Sequence, residues 1–175
     1  LFDVTIIEKN NALGRKFLVA GKGGFNLTHS ENLEQFVSRY TPSEFLKNAL
    51  TAFSNDALRT WLKSLDIPTF IGSSKRIYPE EGIKPIEVFT AILNQLKQNN
   101  LQLKTKANWK GFNDNDELVF DSGLSVKADI TVFSLGGGSW KKTGSSGDWL
   151  NYFSEKGVNI IPFSASNCSS EINWK

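Results

Sequence analysis

Residues 1–29 read LFDVTIIEKNNALGRKFLVAGKGGFNLTH, and this stretch decides the fold. The segment Phe2–Glu8 is nearly all apolar or β-branched, which is typical of a strand covered on both faces in a parallel sheet. The strand ends in an acidic residue, and Asn10–Gly14 has turn chemistry. Glycines crowd positions 21–24. A buried strand followed by a turn and a glycine-rich loop predicts an α/β fold, in which ligands collect at the carboxyl ends of the strands.

The period of the apolar residues changes after this loop. Over Glu31–Asp66 it becomes helical, and the spacing predicts three short helices. Thr41, Pro42 and Glu44 have the chemistry of the N-cap, first and third positions of the middle helix. Ile86–Leu96 has the apolar spacing of a fourth helix, of about three turns.

The second half of the chain predicts mostly strands. Short apolar runs within Leu101–Val126, separated by Asn, Asp and Gly, indicate antiparallel strands. Ala128–Leu135 reads ADITVFSL and predicts another buried strand. Trp149–Phe153 opens a last short helix, and Val158–Pro162 starts a further strand. The order of elements predicts α/β architecture with a parallel sheet.

The composition narrows the class of protein. The chain has 175 residues, 39% of them apolar, and a formal net charge of +2 with the charges scattered, so nucleic acid and membranes are not expected partners. The single cysteine, Cys168, cannot form an internal disulfide, which favours a cytoplasmic location. The chain contains no methionine. We interpret it as a piece of a longer protein, and the alternative is a naturally Met-free sequence that has lost its initiator.

Two groups near the start of the chain could meet a nucleotide. Glu8 is an acceptor-only carboxylate at a strand end, which can take both hydroxyl protons of a ribose; the alternative is a solvated turn residue. The glycines let consecutive amide groups point into one concavity, and Arg15 and Lys16 add cationic donors, a set suited to a pyrophosphate or a flavin edge. The alternative is a flexible loop with a solvated basic pair. The loop lacks the Gly-Lys-Ser/Thr ending of a P-loop, which disfavours nucleotide hydrolysis.

A second glycine-rich segment, LGGGSWKKTGSSGDW, covers residues 135–149. Glycines 136–138 follow the predicted strand, and Thr143–Gly147 precedes a helix whose N-terminus could face an anion. Asp148 could equally be the N-cap of that helix, and a plain strand-to-helix connection is the alternative.

His29 is the only histidine. No Ser/His/Asp motif flanks it, and without a second histidine or a cysteine cluster no metal site is expected. The pattern favours hydrogen bonding within the loop over an acid or base role.

Taken in order, the segments resemble one known family. The strand ending in Glu8 is followed by GRKFLVAGKGGFNLTH, SKRIYP, LGGGSWKKTGSSGD and PFSASNCSSEINW. These look like successive motifs of the bacterial NAD(P)/FAD-dependent oxidoreductases that include bile-acid reductase-like and aminoacetone oxidase-like members. The resemblance implies a Rossmann-like FAD-binding domain over residues 1–155, with a partial parallel sheet, a helical insertion at 31–66 and an antiparallel β-meander at 101–127. Residues 156–175 would start a second, β-rich domain.

The resemblance also implies roles for particular residues. Glu8 would bind the adenosine ribose of FAD, and the backbone near Ala107 would meet the adenine. The pyrophosphate and flavin would be lined by Arg15, Lys16, Gly21, Gly23, Gly24, Asn26 and Thr28. The segment that closes over the cofactor would include Gly136, Gly137, Thr143 and Gly144. Toward the substrate would lie Arg76, Tyr78 and Pro79, and the candidates for a catalytic acid or base are Arg76, Tyr78 and His29.

The chain departs from the family at several points. Phe25 and Asn26 follow Gly24 where members usually carry Arg-Cys-Asn, and Lys141 stands where proline is common. Members also begin with a strand and a G-x-G-x-x-G loop and continue beyond this C-terminus. We therefore expect the 175-residue piece to be inactive and to bind FAD weakly or not at all.

The expected function is that of the parent protein. We expect an FAD-dependent oxidoreductase that moves a hydride or electron pair between NAD(P)H or oxygen and a small organic substrate. The alternative is a non-catalytic nucleotide-binding or interaction module.

Overall fold

The computed structural model describes residues 3–19, 25–138, 141 and 144–164. Within them the elements are, in chain order, β1 (Thr5–Ile7), α1 (Arg15–Val19), β2 (Thr28–His29), α2 (Leu33–Ser38), α3 (Ser43–Ala52), α4 (Asn55–Ser64), β3 (Thr69–Ile71), β4 (Arg76–Pro79), α5 (Pro85–Gln98), β5 (Gln102–Lys104), β6 (Trp109–Phe112), β7 (Leu118–Phe120), β8 (Ser125–Val126) and α6 (Leu150–Glu155).

The chain divides into two compact units. Unit 1 comprises Leu1–Ile6 and Gly14–Gln102, and unit 2 comprises Ile7–Leu13 and Leu103–Lys175. The sequence analysis predicts a first domain over residues 1–155 and the start of a second over 156–175. The two units divide the chain at other points, so those domain limits stay a prediction.

The four predicted helices of unit 1 are confirmed as α2 to α5. Asn32 and Ser54 cap α2 and α4, because their side-chain oxygens accept the N–H groups of Gln35 and Ala57 at 2.9 and 3.1 Å. The prediction of Thr41 as the N-cap of α3 is wrong. Pro42 takes that position with an extended backbone (ψ 141°), so the helix begins one residue later than the pattern indicates.

The core of unit 1 lies between α4 and α5. Leu62, Ile67 and Val88 are its buried residues. Phe17 of α1 packs against this core and meets Phe89 of α5 with 5.8 Å between ring centroids. Gly14, at φ +70°, lies so close to Phe89 that a Cβ would be 2.6 Å from the ring, so this turn requires glycine. The turn chemistry predicted at this position is therefore supported by packing.

A small antiparallel sheet completes unit 1. Its strand order is β2–β4–β3, and His29 lies opposite Arg76 while Phe70 lies opposite Tyr78. Ile77, between these two β4 residues, is completely buried. Because side chains alternate across a strand, one face of the sheet is turned toward the interior and the other toward solvent.

Unit 2 is built on the predicted antiparallel meander. Strands β6, β7 and β8 pair in that order, with Trp109 opposite Phe120. Trp109 is 9% exposed and packs against aromatic residues of α6, with ring-centroid distances of 5.1 Å to Tyr152 and 5.4 Å to Phe153. The short helix that closes unit 2 thus covers the meander through its aromatic side chains.

The parallel pairing lies between β1 and β5. Gln102 donates its N–H to the carbonyl of Val4 at 2.9 Å, and Glu8 donates to Lys104 at 2.8 Å, so the two strands run in the same direction. The prediction that β5 is antiparallel is wrong. The expected coverage of β1 on both faces is also wrong, since Thr5 is exposed and Ile6 and Ile7 are only half-buried.

Two predicted strands are not formed. Residues 128–135 and 158–162 have no strand structure, and Ile130, Val132 and Ile161 are 75%, 82% and 85% exposed. The apolar runs satisfy the sequence pattern of a strand. However, no described strand takes their backbone hydrogen bonds, and an extended segment needs such a partner to count as a strand.

Candidate cofactor site

A cavity of about 270 Å³ lies entirely within unit 2. It is close to the lower end of the roughly 300–1,000 Å³ range of small-molecule pockets. We call it the Glu8 cavity, and its lining includes Ile7, Glu8, Lys9, Ala107, Asn108, Trp109, Ser134, Leu135, Gly144, Ser146, Asp148, Trp149 and Tyr152. It therefore joins the end of β1, the start of the meander, the second glycine-rich segment and the start of α6.

Glu8 is held in a fixed orientation at the end of β1. Its Oε1 accepts the backbone N–H of Asn10 at 2.8 Å and the side-chain amide of Asn10 at 2.6 Å. Asp and Asn side chains often accept the backbone N–H two residues further along the chain, and Glu8 makes the same kind of turn with Asn10. It occupies one carboxylate oxygen, and a carboxylate offers about four lone-pair sites, so acceptor capacity remains for a ligand.

The second glycine-rich segment meets this turn at Gly144. Lys9 donates its ammonium group to the carbonyl oxygen of Gly144. Gly144 has φ +97°, and a Cβ there would lie 3.0 Å from Cε of Lys9 and 3.4 Å from the amide nitrogen of Asn10. A side chain would therefore be strained in its own backbone and crowded against the Glu8 turn.

The backbone N–H of Ala107 is already engaged. It donates to the carbonyl of Glu8 at 3.1 Å, so it is not available to a ligand. The N–H of the next residue, Asn108, likewise donates to the Asp121 carboxylate at 3.0 Å. The backbone contact of adenine near Ala107 stays a prediction, and neither of these two N–H groups is free to make it.

The buried indole of Trp109 carries an unsatisfied donor. Its Nε1 has no hydrogen-bond partner among the described residues. Almost none of this atom's surface is accessible, so the N–H is enclosed by the aromatic side chains around Trp109 and is not open to the cavity. The other wall indole, Trp149, is already satisfied, since it donates to the carbonyl of Gly136 at 3.0 Å.

Three predicted cofactor residues come together in the cavity wall, namely Glu8, Ala107 and Gly144. Gly136 and Gly137 belong to unit 2 but do not line it. The alternative role of Asp148 as the N-cap of α6 is wrong, because Trp149 takes that position.

The other predicted cofactor residues are elsewhere or cannot be described. Arg15, Lys16, Asn26 and Thr28 belong to unit 1. Arg15 and Lys16 lie on the short helix α1, so they are not part of a loop as the pattern indicated. The predictions for Gly21, Gly23, Gly24 and Thr143 fall outside the described residues.

The three candidates for an acid or base lie on one sheet of unit 1. His29 is opposite Arg76 in the register, and Tyr78 is two residues along β4 from Arg76. His29 hydrogen-bonds within its own loop, as the pattern favoured: its Nδ1 accepts the backbone N–H of Glu31 at 3.3 Å and lies 2.8 Å from the Glu31 carboxylate.

The aromatic wall of the cavity was not among the sequence-based candidates. Trp109, Trp149 and Tyr152 line it, but aromatic residues at these spacings are ordinary core positions, and the sequence alone did not distinguish the two roles. Lys9 was also missed, although its place next to Glu8 in a predicted turn is a signal that could have found it.

Metal clusters and membrane-spanning helices are both absent from the described ranges. Within them no group of three or more His, Cys, Asp or Glu side chains could hold a metal ion. Among the helices that these ranges contain, none is sufficiently long and apolar to cross a bilayer.

The described residues combine a parallel strand pair, antiparallel sheets and helices, which is an α/β architecture. Comparison with family models identifies the family more closely: residues 2–170 match the HI0933-like protein Rossmann domain. The chain therefore belongs to this family, which is of the FAD-binding oxidoreductase type. No curated protein matches the chain.

Proposed function

We propose that the chain supplies the adenosine part of an FAD site, in the Glu8 cavity. The observation that carries this proposal is the oriented carboxylate of Glu8, which lies in one cavity wall together with Ala107 and Gly144. A ribose offers two hydroxyl donors, and adenine offers an amino donor and ring-nitrogen acceptors. The free acceptor sites of Glu8 complement the ribose hydroxyls.

Each group has a defined part in this proposal. Glu8 accepts hydrogen bonds from the ribose hydroxyls through the acceptor sites that Asn10 leaves open. The carbonyl of Ala107 accepts from the adenine amino group. The rings of Trp109, Trp149 and Tyr152 provide apolar contact with the base.

The remaining predicted ligands complete the proposal. Arg15, Lys16, Asn26 and Thr28 are proposed contacts of the pyrophosphate and the flavin. When bound, FAD supplies the transfer of a hydride or electron pair, here between NAD(P)H or oxygen and a small organic substrate. The residues of the chain bind and orient the cofactor and exclude water from it.

The experiment that tests this function is flavin retention. The protein expressed from its complete gene is purified, and its absorbance in the flavin bands is compared with that of Glu8→Gln and of Glu117→Gln. Glu117 also belongs to unit 2 and hydrogen-bonds Asn113 at 2.8 Å, but it does not line the cavity, so it is a matched control. We expect flavin in the wild type and in Glu117→Gln, and a loss of about tenfold or more in FAD affinity in Glu8→Gln.

The opposite results would reject the proposal. A colourless wild type that cannot be reconstituted with FAD would favour a nucleotide-binding or interaction module without flavin. Equal flavin affinity in Glu8→Gln and Glu117→Gln would remove the Glu8 cavity from the cofactor site.

A further inference from the structure

We propose that one face of the small sheet in unit 1 binds the carboxylate of a small planar organic acid. We call it the outer face, and it consists of His29, Phe70, Arg76 and Tyr78. The inference rests on the proposed function only in naming this acid as the redox substrate. The binding itself is argued from unit 1 alone.

The register places the four side chains together. His29 is directly opposite Arg76, Phe70 is directly opposite Tyr78, and Arg76 and Tyr78 are two residues apart on β4. Directly opposed residues in an antiparallel pair share a face, with Cβ atoms about 4.5–5.5 Å apart. The fully buried Ile77 lies on the opposite face, together with Thr69, which hydrogen-bonds Arg59 of α4 at 3.2 Å.

Arg76 supplies an available cation on this face. It is exposed, and no residue that the structure describes forms an ion pair or hydrogen bond with its guanidinium group. An arginine fork matches a carboxylate with two parallel hydrogen bonds, which gives orientation as well as attraction. An anion is therefore the ligand that this side chain favours.

The nearby acidic group does not cancel this positive charge. Both carboxylate oxygens of Glu31 lie close to Nε of Arg39, at 2.5 and 2.8 Å. This pairing lowers the pKa of Glu31, chiefly through the hydrogen bond from Arg39, so Glu31 stays ionised and paired with Arg39. The charge that remains for a ligand on the outer face is that of Arg76.

His29 is oriented by the same carboxylate. Its Nδ1 is 2.8 Å from Oε1 of Glu31 and 3.3 Å from the N–H of Glu31. Both contacts hold the ring through Nδ1, so Nε2 is the ring nitrogen left for a ligand beside Arg76.

The segment that carries His29 is held in place by Asn55, a buried residue at the start of α4. Asn55, 4% exposed, donates its side-chain amide to the carbonyls of His29 and Glu31, both at 2.7 Å. A buried amide that bridges two carbonyls ties β2 and the residues after it to the start of α4. The position of the imidazole is therefore set before any ligand arrives, which reduces the entropy lost on binding.

The aromatic pair favours a ligand that is flat. Phe70 and Tyr78 are stacked, with ring centroids 5.7 Å apart and an interplanar angle of 27°, and Phe70 remains 46% exposed. Gly72 leaves room for this stack, since a Cβ there would lie 2.9 Å from the Tyr78 ring. A flat apolar group can lie on these rings while its carboxylate meets Arg76.

The test uses benzoate as the probe and benzamide as its neutral isostere. Both are titrated into the full chain while backbone amide signals are followed by NMR, for the wild type, Arg76→Gln, Arg76→Lys and the control Lys97→Gln. Lys97 is an exposed cation at the end of α5, so its variant makes the same change in net charge elsewhere in unit 1. Thermal unfolding of each variant establishes that it is folded.

We expect benzoate to shift signals of β2, β3 and β4 and benzamide to bind much more weakly. Arg76→Gln should weaken benzoate binding about tenfold, Arg76→Lys should weaken it less, and Lys97→Gln should leave it unchanged. Equal benzoate affinity in the wild type and Arg76→Gln, or equal affinity for benzoate and benzamide, would overturn the inference.

The outcome is independent of the cofactor proposal. Loss of benzoate binding in Arg76→Gln with no flavin in the parent protein would reject the proposed function and leave the anion site. Flavin retention together with equal benzoate binding in the wild type and Arg76→Gln would support the proposed function and reject the anion site.

Discussion

The two units of the chain present their polar groups in different ways. In unit 2, Glu8 and Trp109 line a cavity whose walls are also the hydrophobic core of that unit. In unit 1, Arg76 and His29 lie on an open sheet face, and the core is on the other side of the sheet. The difference predicts that ligand binding and stability are coupled in unit 2 and separable in unit 1.

The largest expected effect is that of Trp109→Ala. Trp109 contacts the rings of Phe112, Phe133, Tyr152 and Phe153, so its removal leaves a cavity in the core of unit 2. We expect a loss of about 3–5 kcal/mol in the free energy of unfolding, measured with denaturant, and a loss of adenine-nucleotide binding.

Leu62→Ala is the matched change in unit 1. Leu62 is 1% exposed, and its truncation should cost about 2–5 kcal/mol. It should leave the nucleotide affinity of the folded protein unchanged. If Trp109→Ala destabilised the protein without altering nucleotide binding, the proposed coupling in unit 2 would be wrong.

A smaller effect is expected for Gly144→Ala. The positive φ of Gly144 would impose a backbone strain of about 1–2 kcal/mol, and the new Cβ would press on Lys9 beside the Glu8 turn. Gly157→Ala is the control, because Gly157 has φ +77° but a Cβ there would meet no other atom within 4 Å. Both variants should lower the melting temperature, and only Gly144→Ala should also weaken nucleotide binding. Equal nucleotide affinity in the two variants would count against a role for Gly144 in the site.

The smallest effects concern one ion pair in each unit. Arg39 lowers the pKa of Glu31 in unit 1, and Lys156 lowers that of Asp116 in unit 2, in both cases chiefly by a hydrogen bond to the carboxylate. A carboxyl whose pKa is lowered by folding stabilises the protein above its unfolded pKa and loses that contribution as the pH falls through the folded value. The loss of stability in acid should therefore begin as the pH falls toward the ordinary values of 4.5 and 3.8 and continue below the lowered folded values.

The two pairs can be separated by NMR titration of the carboxyl groups. Arg39→Gln should raise the pKa of Glu31, whose side chain is 8% exposed, more than Lys156→Gln raises that of Asp116, which is 80% exposed. The reason is that water screens the exposed pair more effectively. Equal changes in the two pKa values would show that this difference in exposure has no electrostatic consequence.

The spacing of residues that are close in sequence was enough to predict the helices of unit 1 and the meander of unit 2. The helical spacing of Glu31–Asp66 and the turn residues of the meander identified α2 to α4 and β6 to β8. The direction of β5 was not predictable in this way, because it depends on pairing with β1 about 100 residues earlier in the chain. Likewise, the apolar run at 128–135 carries a strand pattern, but a pattern does not supply the neighbouring strand.

The candidate site was predicted only in part for the same reason. Glu8 stood out because an acidic residue ended an apolar strand, and Gly144 because it lies in a glycine-rich segment. The indole of Trp109 looks like any core residue in the sequence. Its place in the cavity wall is visible only when the positions of its neighbours are known.

The central claim is that Glu8 accepts hydrogen bonds from a ribose in the unit 2 cavity. The most direct measurement is a titration with ADP and with 2′,3′-dideoxy-ADP, followed by tryptophan fluorescence, for the wild type and Glu8→Gln. We predict that the wild type prefers ADP by about tenfold and that Glu8→Gln loses this preference. Equal affinities of the wild type for the two nucleotides, or an unchanged preference in Glu8→Gln, would contradict the account.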